Sequence, residues 1–215
     1  NYRDDWGSKI EVYGSYSFSD KQTSTIKNST QQNVFQDKLN SYLQNSNNLN
    51  TVDNHRASFN IEYKIDTANY IKFNPSFSKN KTYAIYYSDF ISQINDRKMS
   101  DGYMDDNSLS NSPNFSGSFL YNHRFKKRGR TISFNLNAGS SSTKSDEDYD
   151  NLTTLYLGGL AKDTLQLLNI LQNNNNKNYG GKISYTEPIT KKRNLEINYS
   201  YNYQYIDNNR STYNI

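Results

Sequence analysis

The chain has 215 residues, and its 25 lysine and arginine residues against 21 acidic ones leave a net charge of only +4. This balance argues against a nucleic-acid-binding protein, which needs a concentrated basic face. A mean hydropathy of -1.02 is typical of a solvating chain, but 20 tyrosines and 10 phenylalanines argue against disorder.

The absence of cysteine excludes disulfides, thiol nucleophiles and zinc–thiolate sites. No run of about 18 apolar residues is present, which excludes a transmembrane helix, whereas a transmembrane β-strand needs only about 9–11 residues with alternate ones apolar. The chain starts at Asn1 with neither Met nor a signal peptide. We therefore expect either that these were removed or that the chain is a segment of something longer.

Seven stretches alternate apolar and polar residues with a period of two, which predicts strands because a helix cannot keep this alternation on one face. In chain order they are 8–19, 55–65, 69–78, 114–125, 131–142, 178–186 and 194–206. Pro75 lies inside the third stretch and has no amide hydrogen to donate, which predicts a bulge or a locally unpaired site.

The connections between these strands alternate between short and long. Three are tight turns, at 66–68, 126–130 and 187–193, and three are long segments rich in Asn, Ser and Asp, at 20–54, 79–113 and 143–177. Short turns at one end and long loops at the other are typical of outer-membrane barrels. The predicted fold is therefore all-β: an antiparallel up-and-down meander forming part of a transmembrane barrel, with short periplasmic turns, long extracellular loops and no plug domain. Seven strands is an odd number, so we expect 1–215 to be part of a larger barrel.

The alternation also predicts two faces with different surroundings. We expect one row to face lipid, because bulky apolar and aromatic residues suit an outer barrel surface; its candidates are Phe59, Ile61, Tyr63, Ile71, Phe73, Phe119, Tyr121, Phe134, Leu136, Ile197, Tyr199 and Tyr201. We expect the opposite row to line a wet lumen; its candidates are Asn60, Glu62, Lys64, Lys72, Asn74, Asn122, Arg124, Asn135, Asn137, Glu196, Asn198 and Asn202.

Three segments carry a family resemblance: NYRDDWGSKIEVYGSYSF at 1–18, HRASFNIEYKIDTANYIKFNPSFS at 55–78, and YTEPITKKRNLEINYSYNYQYIDNNRSTYN at 185–214. They resemble the barrel of Bacteroidetes outer-membrane β-barrel family proteins that are closely related to TonB-dependent receptors. The turn Tyr185 to Pro188, with Lys191 and Lys192 following, is the most specific element. The long connections are not covered.

This resemblance implies the wall of a transporter in the bacterial outer membrane, contacting outer-membrane lipid and lipopolysaccharide. It also implies partners outside this segment: a plug domain and an inner-membrane TonB complex. Two other interpretations remain open. One is a passive or structural barrel, such as an adhesin or anchor, without TonB coupling, and the other is a soluble surface-binding β-domain.

No residue pattern predicts a cofactor, a metal site or catalysis, so the sequence predicts a protein that is not an enzyme. Asp146, Asp148 and Asp150 resemble the start of a calcium loop, but Asn151 and Leu157 stand where an EF-hand needs Gly and Glu. We interpret them as a solvated acidic segment, with loose divalent-cation binding at the lipopolysaccharide surface as the alternative.

The remaining polar candidates have simple interpretations. His55 and His123, the only histidines, are expected near strand ends without a nucleophile arrangement, and Glu62 and Glu196 are expected to line the lumen rather than to pair as acid and base. The basic turns at 126–130 and 190–193 lack an aromatic platform for nucleic acid. In the segment 152–172, Asp163 or Thr164 is expected to cap a short helix whose leucines pack on the barrel mouth or dock a surface lipoprotein.

Overall fold

The computed structural model describes residues 1–190 and 192–215, and its regular elements are all β-strands. In chain order these are β1 (Tyr2–Trp6), β2 (Ile10–Phe35), β3 (Lys38–Lys64), β4 (Asn69–Ile94), β5 (Arg97–Arg124), β6 (Thr131–Leu157), β7 (Leu160–Thr190) and β8 (Arg193–Asn214). They form one antiparallel sheet whose spatial order follows the chain order. The predicted all-β meander is therefore confirmed. Within the described residues, no helix is long and apolar enough to cross a membrane.

The three long loops predicted at 20–54, 79–113 and 143–177 are wrong, because these segments are the continuous upper halves of β2 to β7. Each of those strands has 26 to 31 residues, or roughly 85–100 Å at about 3.3 Å per residue. The sequence signal fails here because residues of similar polarity stand on both faces, as at Asn173 to Asn176 of β7 and at Tyr86 and Tyr87 of β4, so the alternation disappears.

Tight hairpin turns close the upper end of each strand pair. Gly158 and Gly159 have φ values of 60° and 85°, and Asn95 and Asp96 have 48° and 63°. Positive φ at both central positions defines the type I′ turn, whose twist matches that of paired strands. The Gly-Gly and Asn-Asp pairs are thus the local signals that mark these hairpins.

Other boundaries also differ from the prediction. An eighth strand, β1, precedes the seven predicted ones, and the predicted first strand begins two residues too early. The helix expected after Asp163 is wrong, since β7 runs through it in register with β6. The predicted turn at 187–193 is too long, because Thr186 to Pro188 still pair with Asn194 to Glu196. Lys191, which belongs to that turn, lies outside the described residues.

Pro75 interrupts the ladder as its chemistry predicts. Pairing between β3 and β4 continues as far as Ser58 with Ser76 and resumes at Ile61 with Phe73, and the register does not shift across the gap. On the other side, Pro75 still pairs with Gly117 of β5. The missing amide hydrogen therefore opens one seam locally and leaves the overall register intact.

The sheet has no hydrophobic core. Val12 and Ile170 are the only buried apolar side chains in the described part of the chain, whereas Tyr199, Phe18 and Leu136 are 67%, 55% and 53% exposed. A water-soluble sheet covers one face with a second layer. This single layer instead leaves a continuous apolar surface uncovered, which is far beyond what a soluble monomer exposes.

Candidate membrane wall and polar face

The strand register brings all of the predicted lipid-facing residues onto one face of the sheet, which we term the aromatic face. Tyr121 of β5 stands between Ile71 and Phe134, and Phe119 stands between Phe73 and Leu136. On β3 and β8, Tyr63 continues the first row on one side and Tyr199 on the other. Adjacent strands thus align their apolar positions side by side, which a one-residue slip would destroy.

The apolar band on the aromatic face has a clear upper boundary. Above it runs a row of directly opposed polar residues, one from each of β2 to β8, consisting of Asp20, Asp53, Lys81, Asn111, Lys144, Asn173 and Asn209. Below this boundary the apolar row occupies nine residues in β2 (Ile10 to Phe18) and eleven in β8 (Leu195 to Tyr205). At about 3.3 Å per residue and a tilt of about 40°, the band is roughly 25 Å high, which is the height of the lipid-facing band of outer-membrane barrels.

Rings with polar atoms lie at both edges of the band. At the upper edge, Tyr16 Oη lies 2.8 Å from His55 Nδ1, and Phe18 packs on the same imidazole at 4.7 Å between ring centroids. At the lower edge, the Tyr121 hydroxyl donates to Asn69 Oδ1 at 2.7 Å. His55 lies inside β3 rather than at a strand end, so that expectation is wrong. Such amphipathic rings are typical of the interfaces of a bilayer.

The predicted lumen-lining residues all lie on the opposite face, which we term the polar face. Here Lys72 Nζ lies 3.0 Å from Glu62 Oε1, and Lys64 Nζ lies 2.9 Å from Glu11 Oε1. Asn60 Nδ2 also donates to Glu62 Oε1 at 3.1 Å. These ion pairs lie level with the apolar band but on the opposite face of the sheet.

Above these ion pairs the polar face is dominated by amides and hydroxyls. The hydroxyls of Ser76 and Ser116 lie 2.7 Å apart, and those of Ser15 and Ser58 lie 3.0 Å apart. The side-chain amides of four residues have buried oxygens that accept no hydrogen bond from the described protein atoms, namely Asn40, Asn50, Asn54 and Asn74. Buried polar atoms require partners, so this region of the sheet needs water or a polar ligand against it.

A charged network ties the turn that precedes β6 to the lower end of β7, at the lower edge of the band. Arg130 donates from Nε and Nη2 to the two carboxylate oxygens of Glu187 at 2.6 and 2.9 Å, and Lys127 Nζ adds a contact at 2.5 Å. The Tyr185 hydroxyl donates to the same carboxylate at 2.7 Å. Hydrogen bonds from Arg130, then Lys127 and Tyr185, hold the pKa of Glu187 well below its ordinary value. The pairing of Arg130 with Glu187 was not predicted from the sequence, because the two residues are 57 positions apart in the chain.

The other candidates do not assemble into a reactive site. Glu62 lies in β3 and Glu196 in β8, five strands apart and therefore roughly 24 Å across the sheet. Asn169 Nδ2 donates to Asp146 and Asp148 at 2.8 and 2.9 Å. Among the described residues, no group of His, Cys, Asp and Glu is arranged to hold a metal ion.

Comparison with known proteins agrees with the band geometry. Residues 123–215 match the model of the "Outer membrane protein beta-barrel family". No curated protein matches. Among solved structures, the siderophore receptor PiuA from Acinetobacter baumannii is 8% identical, with a TM-score of 0.20, which is too low to support an argument. That alignment covers 98% of this chain and 43% of the receptor, so the chain spans less than half of the receptor's length.

The region that matches the family model includes β6, β7 and β8, and with them the Arg130–Glu187 network and the complete aromatic row of β8. The family match and the uncovered apolar band together assign the protein to the bacterial outer membrane and its strands to an outer-membrane β-barrel.

Proposed function

We propose that this sheet is one part of the wall of a wide outer-membrane barrel that takes up a substrate, in the manner of a TonB-dependent receptor. The observation that carries the proposal is the apolar band of about 25 Å on one face of a sheet whose other face is polar. Lipid lies against the aromatic face, and water or substrate lies against the polar face.

The open edges of the sheet support a larger barrel. In the part of the chain that the structure describes, β8 pairs only with β7, and on the side away from β3 the strand β2 has no neighbour beyond the five residues of β1. A bilayer does not tolerate unpaired strand edges, because no water is present to satisfy their amides and carbonyls. Further strands therefore complete the ring, and a ring much larger than eight strands encloses a lumen wide enough for a channel or a plug.

Cysteine labelling tests which face meets lipid. This segment contains no cysteine, so single substitutions in an otherwise cysteine-free full-length protein report one position each. The matched pair is Leu136→Cys and Asn137→Cys, which are neighbours in β6 at nearly the same depth and on opposite faces. In intact outer membranes, we expect a water-soluble maleimide to modify Asn137→Cys and to leave Leu136→Cys unmodified. The reverse result would refute the proposed orientation.

A second experiment separates energised uptake from a passive or structural barrel. The full-length protein is tested for photocrosslinking to TonB in cells, with and without a collapsed proton-motive force. Crosslinks that depend on this energy source support the receptor-like function. A correctly assembled barrel that never crosslinks to TonB supports the alternative of a passive barrel or surface anchor.

A further inference from the structure

Four lysines form a cluster on the aromatic face at the upper edge of the apolar band. They are Lys79 and Lys81 of β4, Lys144 of β6 and Lys177 of β7, and all four are exposed. The register places Lys81 and Lys144 in one row, with Asn111 between them. Lys79 lies one row lower, and Lys177 lies one row below that, level with the last phenylalanines of the band.

The spacing of these lysines is compatible with one polyanionic ligand. Lys79 and Lys81 are about 7 Å apart along β4, Lys81 and Lys144 are about 10 Å apart across two strand spacings, and the cluster spans roughly 15–20 Å. A surface groove beside Lys144 is lined by Asn111, Asn173, Leu109 and Leu171, and also by Asp146. The cluster therefore combines cations with neutral amides and apolar side chains.

The charges of this cluster are not neutralised by direct contacts. Among the described residues, none of the four lysines forms an ion pair. The nearest acids are Asp53, opposite Lys81, and Asp146, one row above Lys144 and hydrogen-bonded by Asn169. Asp207 is the next acid, diagonal to Lys177 across the β7–β8 pair. All four ammonium groups are therefore available to an external anion.

The lower end of the sheet offers a contrast. There Lys127 and Arg130 already contact Glu187, and that carboxylate takes up their hydrogen bonds. Within the described residues, the four lysines of the upper cluster have no such carboxylate contact, and they lie on the aromatic face where the apolar band ends. A ligand that places acyl chains on the band would bring its polar end to this position.

We propose that this lysine cluster binds the phosphate groups of the glycolipid of the outer leaflet. The inference rests on the proposed function, in which the aromatic face meets lipid. Acyl chains then pack against the band, and the phosphates, at the top of the acyl layer, lie level with Lys79 and Lys144. Four lysines give the site both charge and geometry for a ligand with more than one phosphate.

Lipid binding to the full-length protein tests this proposal. The probes are nanodiscs that contain bisphosphorylated lipid A, enzymatically dephosphorylated lipid A or phosphatidylglycerol, with retained lipid counted by native mass spectrometry. Near an anionic lipid surface each lysine contributes about a fivefold difference in affinity. We expect each Lys→Gln change to weaken retention of bisphosphorylated lipid A about fivefold, and the four changes together to weaken it by roughly a hundredfold or more.

The matched control is Lys182→Gln, which removes the same charge from the polar face of β7. It should leave retention unchanged, and a heat-modifiable band shift should show that every variant still forms a barrel. The proposal is overturned if the fourfold variant retains bisphosphorylated lipid A normally, or if the wild type retains dephosphorylated lipid A or phosphatidylglycerol equally well. If these outcomes occur while Asn137→Cys labels and Leu136→Cys does not, the lysine site fails and the barrel wall stands.

Discussion

An arginine scan along β6 tests the depth and the direction of the apolar band. Leu136 lies near mid-height of the band on the aromatic face, between Phe119 and Gly181, and its side chain is 53% exposed. Asn137 is its neighbour on the polar face, and Ser142 lies on the aromatic face near the upper boundary. All three positions belong to one strand, so differences in local pairing are small.

The expected costs follow from the position of each residue. Leu136 lies about 13 Å above Ile132 and about 7 Å below Ala138, the two ends of the apolar run in β6. Leu136→Arg should therefore reduce the free energy of unfolding by about 2–4 kcal/mol, the range for arginine near a bilayer midplane. Ser142→Arg should cost about 0–1 kcal/mol, because its guanidinium reaches the interface. Asn137→Arg meets water and should cost less than about 0.5 kcal/mol, as an exposed surface change does.

The measurement is denaturant unfolding of the full-length protein folded in lipid vesicles, followed by tryptophan fluorescence and the heat-modifiable band shift. A larger cost for Asn137→Arg than for Leu136→Arg would show that the faces are reversed. Costs below about 0.5 kcal/mol for all three would show that neither face meets lipid, since that is the range of ordinary surface substitutions.

Three further predictions concern the ends and seams of the sheet. The depressed pKa of Glu187 stabilises the fold above its ordinary value of 4.5, and this stability is lost as the pH falls below that value. In Glu187→Gln, the urea concentration at the unfolding midpoint should therefore fall less steeply than in the wild type as the pH drops below about 5. A fall as steep as in the wild type would contradict this. Gly159→Val places a branched residue at a φ of 85°, and this strain costs about 1–2 kcal/mol. We therefore expect amide hydrogen exchange near the β6–β7 tip to accelerate by about tenfold. An equal acceleration at the β4–β5 tip would argue against a local cause. Pro75→Thr restores an amide hydrogen facing β3, so we expect a newly protected amide at position 75, and rapid exchange there would show that the seam is open for another reason.

The fold class and the two faces of the lower part of the sheet could be predicted from the sequence, because there one face of each strand is apolar and the other is polar. Leu136 and Asn137 differ in polarity since one face of β6 is apolar and the other polar, and the alternation records this directly. Which face meets lipid remains a prediction that the labelling and arginine experiments test.

The upper halves of the strands were not predictable from alternation, because residues such as Asn173 to Asn176 occupy both faces without a change in polarity. Their strand structure depends on pairing with neighbours and on the turns at their tips. The Glu187 network and the lysine cluster were missed for a related reason. Each joins residues from different strands, and only the register, which the sequence of one strand does not contain, brings them together.

The meander also has a consequence for how the chain assembles. Every strand pairs only with the strands before and after it in the chain, and a two-residue turn such as Gly158-Gly159 places Leu157 directly opposite Leu160. Each hairpin can therefore close from its tip, with little loop-closure entropy lost at each step. The hairpin tips at the upper end of the sheet are then the first parts of each strand pair to hold native structure. Along the described strands, each pairing step therefore joins segments that are neighbours in the chain.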